Sequence, residues 1–167
     1  KFISYTILLL VYAFSFVVGL YIFNLLPDMN LLLRFLIMDV VTTVVIFMFS
    51  WFFDNSSIYD PYWSVLPQVM VIILALDGSS FHWTSYIMIA LIELWGMRLT
   101  LNCLIRFKDL THQDWRYTHF KEKHPKLWPL INLGGIHLVP TLVVYLLMLP
   151  VAAYFEAVNN NLVTNNF

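Results

Sequence analysis

A chain of 167 residues that is 60% hydrophobic and 11% charged cannot cover its apolar surface with water-facing side chains, since soluble domains carry roughly 25% charged residues. With a mean hydropathy of +0.77, the composition excludes an ordinary soluble domain and predicts a membrane protein; the apolar runs taken in order make it an all-α, polytopic integral membrane protein with about five transmembrane helices. The net charge of −1 is uninformative until its distribution is known, and the single cysteine, Cys103, excludes an intrachain disulfide and a cysteine-built metal site; neither a metal nor a nucleic-acid partner is expected.

In chain order, Phe2 to Leu26 carries no charge and is long enough, at 1.5 Å per residue, to cross a hydrocarbon core of about 30 Å with some tilt. It is too long for the apolar region of a signal peptide, and no small-residue cleavage site follows, so a retained transmembrane helix is expected. The chain opens on Lys1 rather than methionine, which reads as processing or truncation. Pro27 to Asn30 has the composition of a tight turn. The second span, Leu31 to Phe53, holds Arg34 near its end and Asp39 about two turns in. At about 100° per residue, Asp39, Thr42, Thr43 and Ser50 share one face, which should point at protein. There Asp39 is either a functional carboxylate or a helix-packing hydrogen-bond partner.

Asp54 to Pro61 is the next turn, and its Asn55-Ser56-Ser57 matches a glycosylation acceptor pattern. A third span runs from Tyr62 to Leu76 and is broken by Asp77 to Ser80. The fourth, Thr84 to Leu104, contains Glu93 and Arg98. Trp95, Arg98, Asn102 and Arg106 fall within about 80° of one another, with Glu93 on the opposite side, and Asp39 is the expected partner of Arg98. The last apolar run, Leu127 to Phe155, should be divided by Gly134-Gly135 and Pro140. Leu127 to Leu133 then becomes an interfacial or re-entrant piece and His137 to Phe155 the membrane helix, with His137 a packed helix-end histidine and the tail from Val158 frayed.

Between the fourth and fifth spans lies the one long polar interval, residues 106–126, within a single transmembrane domain covering 1–167. Arg106, Lys108, Arg116, Lys121, Lys123 and Lys126 account for six of the 9 basic residues, with His112, His119, His124, Asp109, Asp114 and Glu122 among them. Five spans put this loop, the amino terminus and the Asp54–Pro61 turn on one face. The bases concentrate there, so that face is read as cytosolic, the wrong side for glycosylation of Asn55.

Four segments carry a resemblance. Asn55-Ser56-Ser57-Ile58-Tyr59-Asp60-Pro61-Tyr62-Trp63, running on to Pro67, is the first, and Trp95 to Asn102 the second. Asp114-Trp115-Arg116-Tyr117 and Gly135 to Thr141 follow in register. Together they resemble the steroid 5α-reductase-like membrane family, in its branch with the same YDPYW and DWRY signatures. The resemblance spans about Ser50 to Pro150. It implies a helical membrane enzyme that binds NADPH from the cytosolic side and reduces a double bond conjugated to a carbonyl in a lipid-like substrate. Relatives of the same fold methylate prenylated cysteines.

The family's Arg-His-Pro segment, which marks its nucleotide-binding half, and its Gln-Glu-Leu-Pro context are both absent. The expectation is therefore an amino-terminal part that is inactive alone. The alternatives are a non-catalytic subunit of a larger membrane complex and a methyltransferase-like protein. For the cofactor, Arg98, Asn102, Arg106, Asp114, Trp115, Arg116 and Tyr117 are the candidates, since phosphates want cations and rings want flat faces. For an acid near a carbonyl oxygen the candidates are Asp39, Asp60, Tyr62 and Glu93. The other reading of Trp63, Trp115 and Tyr117 is an aromatic belt. The expected partners are membrane lipid and other subunits of a complex. The expected location is the endoplasmic reticulum by resemblance, or the mitochondrial inner membrane for a complex subunit.

Overall fold

Lipid offers no partner to a backbone N–H or C=O, so each apolar run of this chain closes its own hydrogen bonds as helix. In a computed structural model, which describes residues 2–78, 82–160 and 162, the elements are α1 (Phe2–Leu25), α2 (Leu31–Phe52), a 3₁₀ turn (Ser56–Tyr59), α3 (Tyr62–Asp77), α4 (Trp83–Arg106), α5 (Trp115–Lys123), α6 (Trp128–Leu130), a π-helical stretch (Ile131–Leu138) and α7 (Val139–Asn159). The described residues contain no strand. Five stretches are long and apolar enough to cross a membrane: Phe2–Leu25, Leu31–Phe52, Ser56–Asp77, Trp83–Arg106 and Trp128–Asn159. The fold is an all-α polytopic membrane protein.

Local chemistry sets the ends. Asn30 caps α2 by accepting from the Leu32 N–H at 2.9 Å. Arg34 stays at the membrane edge, with its Nε donating to the Phe23 carbonyl at 3.2 Å and its guanidinium over the Phe23 ring. After α2, Asp54 takes a left-handed conformation (φ 50°), which turns the chain so that the Asn55 N–H reaches back to the Ser50 carbonyl. Asn55 itself is buried, its amide donating to the Leu110 carbonyl at 2.7 Å, so the acceptor pattern is closed to a glycosyltransferase in the folded chain.

The core lies among α1, α2, α3 and α7, where Phe35, Met38, Ile46, Tyr62, Leu66 and Val71 are fully buried. Gly19 lets α1 lie directly on α2, because a Cβ there would overlap the Thr42 hydroxyl. The Asp39, Thr42, Thr43 and Ser50 face is buried throughout. Its partners come from α3, the π-helical stretch and α7, with the 3₁₀ turn reaching the same network. The Tyr62 hydroxyl donates to Asp39 Oδ1 at 2.8 Å, the Thr43 and Thr141 hydroxyls meet at 2.8 Å, and Tyr59 reaches Thr141 at 2.8 Å. His137 sits between the Asn132 carbonyl and the Ser50 hydroxyl.

Two expectations fail here. Arg98 does not face Asp39. It is exposed on α4, which packs chiefly against α3, while Tyr62 takes the Asp39 carboxyl. Nor is the last apolar run divided. Gly134 and Gly135 lie inside the π-helical stretch, where the Val139 N–H reaches the Gly134 carbonyl five residues back, and the helix continues into α7 past Pro140. The wider turn gives a proline ring the room that an α-helical turn denies it. The polar interval also contains a helix, α5, capped by Asp114. Lys1, Ser79 and Ser80 of the expected turn, and most of the tail after Asn160 lie outside the described residues.

Candidate functional site

The third motif lands beside the first because three contacts tie them. The Asp114 N–H donates to the Ser57 hydroxyl at 2.8 Å, the Tyr117 hydroxyl donates to Asp60 Oδ1 at 2.5 Å, and the Ser56 N–H donates to Gln113 Oε1 at 2.8 Å. Asn55 adds a fourth, to the Leu110 carbonyl. The 3₁₀ turn thus serves as a platform on which the otherwise polar α5 is seated. A helix of nine residues with no buried side chain would not persist on its own propensity. These contacts and the Asp114 cap hold it.

Between this platform and the end of α4 opens a cleft of about 470 Å³, in the range of small-molecule sites. Asp60, Pro61 and Trp63 form one wall, Asn102, Cys103 and Arg106 a second, and Lys108, His112, Asp114, Arg116 and Tyr117 a third. Its charge is mixed but not self-cancelled. Asp114 engages Arg116 in a bidentate pair at 2.9 and 3.0 Å through Nε and Nη2. Arg106 and Lys108 have no carboxylate partner among the described residues.

The Arg116 guanidinium and, after it, the Arg116 backbone N–H both donate to the Asp114 carboxyl and hold it below the ordinary carboxylate range, and the Arg116 guanidinium is pushed up in return. The Tyr117 phenol is pushed up chiefly by burial, and further by the Asp60 carboxylate beside it. It therefore stays a proton donor at neutral pH.

The candidates divide accordingly. Asn102, Arg106, Asp114, Arg116 and Tyr117 line the cleft, and so does Asp60. Trp115 is 74% exposed on the outer side of α5, where it suits the membrane interface. Arg98 and Glu93 are on α4 outside the cleft. Asp39 and Tyr62 are paired in the core and fully buried. The four acid candidates therefore do not converge, and Asp60 alone opens onto the cleft. Ser57, Lys108 and His112, none of them a candidate from the sequence, also line it. Ser57 stands three residues before Asp60 in the same motif, which is the signal that marks it.

A family model described as "Protein of unknown function (DUF1295)" matches residues 46–166. That range takes in every wall of the cleft. No curated protein and no solved structure matches the chain.

Proposed function

From a chain that belongs to the DUF1295 family, proteins of unknown function, and in which Asp60, Asn102, Arg106, Lys108, Asp114, Arg116 and Tyr117 line one cleft, we propose the membrane part of an NADPH-dependent double-bond reductase of 5α-reductase-like lineage. The substrate class is an enone in a lipid-like molecule, and the membrane that of the endoplasmic reticulum. The observation that carries the reading is the make-up of the cleft: Arg106 and Lys108 with no carboxylate partner among the described residues, the clamped Arg116, and the Asp60–Tyr117 pair on one surface.

The residues fit one end of the cofactor. Arg106 and Lys108 suit phosphate oxygens, and Arg116 keeps Nη1 for a ligand while Asp114 occupies its other two nitrogens. Trp63 and Tyr117 offer flat faces. When bound, NADPH would supply the hydride for the double bond. Asp60 and Tyr117 hold a proton at the cleft wall, with the phenol donating. Tyr117 is therefore the better-placed donor toward an oxygen in the cleft, and Asp60 orients it.

Binding of NADPH to the purified chain in nanodiscs, read by tryptophan quenching, tests this. The expected result is saturable binding weaker than micromolar, lost in Arg106→Ala/Lys108→Ala, with no turnover of an enone. Quenching that is absent, or unchanged in the double variant, would remove the cofactor reading. Enone turnover by these residues would overturn the expectation of binding without turnover.

A further inference from the structure

The helix that encloses the cleft on one side is the least buried of the five spans. Of the 24 residues of α4 only Ser85 and Gly96 are buried, and the helix packs chiefly against α3, with Gly96 seated on the Gln68 side chain. At about 100° per residue, Trp83, Ile87, Leu91, Leu94, Leu101 and Ile105 form one outward stripe. All six are exposed.

Arg98 lies within that stripe, between Leu94 and Leu101. It is exposed and makes no hydrogen bond or ion pair among the described residues. Its α-carbon sits roughly 12 Å along the helix from Arg106, which ends the span. Glu93, about 7.5 Å further along the axis and on the other side of the helix, has a buried Oε1 with no hydrogen-bond partner among the described residues and offers Arg98 no counter-charge. The outward side of α1 gives the contrast: Leu9, Leu10, Phe14 and Val17 are exposed there and none is ionisable, as a lipid-facing surface requires. An arginine at such a depth is among the costliest side chains to leave in hydrocarbon, and such charges face protein or water.

We propose that the outward face of α4 docks a transmembrane helix of a second polypeptide that carries a carboxylate level with Arg98. A guanidinium takes a carboxylate in two parallel hydrogen bonds, and the leucines on either side supply an apolar seam. A second copy of this chain does not suit the face. A twofold axis along the membrane normal would set Arg98 against Arg98 at equal depth. The surface is independent of whatever the cleft holds.

The test is a photoreactive amino acid at Leu101, with Leu10 on α1 as control, in the full chain in its native membrane, the crosslinked peptides being identified by mass spectrometry. Leu101 should capture an apolar span of another protein with Asp or Glu within one turn of the adduct, and Leu10 should give lipid adducts only. Arg98→Leu should lower the protein adduct at least tenfold. Arg98→Asp should do the same and be restored when the partner's acid is changed to arginine. Lipid-only adducts at Leu101, adducts to a second copy or to another part of the same chain, or a captured span without an acid would each overturn the proposal.

Discussion

Asp114 holds the rim of the cleft with three of its atoms. Its N–H rests on the Ser57 hydroxyl, Oδ1 caps α5 by accepting from the Arg116 N–H at 2.9 Å, and both carboxylate oxygens grip the Arg116 guanidinium. Removing an N-cap costs about 1 kcal/mol. Asp114→Ala should therefore raise amide exchange at 115–118 roughly fivefold, and Asp114→Asn, which keeps a capping oxygen, should raise it less. The pH dependence follows from the sign of the shift. A carboxyl held below its unfolded value of about 3.9 contributes its stabilisation fully above that value, and loses it as pH falls through the lower folded one. The difference between wild type and Asp114→Ala should be constant from pH 7 to 5 and vanish in strong acid. A difference that grows on acidification would contradict this role. Asp109, held down first by the Thr111 hydroxyl, titrates in the same direction.

Among elements, α2, α3 and α7 are joined by hydrogen bonds that no single helix specifies. Tyr62→Phe leaves the Asp39 carboxyl without its side-chain donor in a fully buried position, and an orphaned buried polar group costs about 1–3 kcal/mol. Asp39→Asn keeps an acceptor for the Tyr62 hydroxyl. Thermal unfolding in detergent should thus show a clear loss for Tyr62→Phe and a smaller one for Asp39→Asn; the reverse order would mean that the charge, not the hydrogen bond, holds the helices. The polar face of α2 was legible because one helix's periodicity places Asp39, Thr42, Thr43 and Ser50 together. Its partner was not, because periodicity says which way a side chain points and nothing about which helix stands opposite. Tyr62 and Thr141 lie inside recognised motifs, yet their meeting with α2 depends on how α7 and the π-helical stretch pack against it. That stretch misled for a physical reason. Two glycines before a proline signal a break in water, but in lipid a broken backbone has no partner, so the helix widens and goes on.

At the scale of the molecule, the five spans set a sidedness that labelling can test. In a Cys103→Ser background, cysteines at Asp54 and His119 should react with an impermeant reagent from one side of the membrane, and cysteines at Asp28 and Asp77 from the other. All four positions are exposed. Opposite accessibility for 54 and 119 would overturn the arrangement. The apolar runs taken in chain order foretold the number of spans. The cleft was foreshadowed by motif spacing but not by composition, since its walls come from α4, α5 and the 3₁₀ turn. Only folding brings Asp60 and Tyr117, which are 57 positions apart, within hydrogen-bond reach.

The two ends of α5 are moored differently. Its first turn is fixed by the part-buried Tyr117–Asp60 and Asp114–Ser57 hydrogen bonds. Near its last turn, Lys121 reaches Asp54 at 2.6 Å, with side chains 38% and 74% exposed. Ionic strength separates them. At 1 M salt the Debye length falls to about 3 Å, so the Lys121 mooring weakens while the shielded one does not. In brine α5 becomes a helix held at one end. The wall of the cleft at Tyr117 keeps its place, and the Lys121 end is free to swing over the membrane surface.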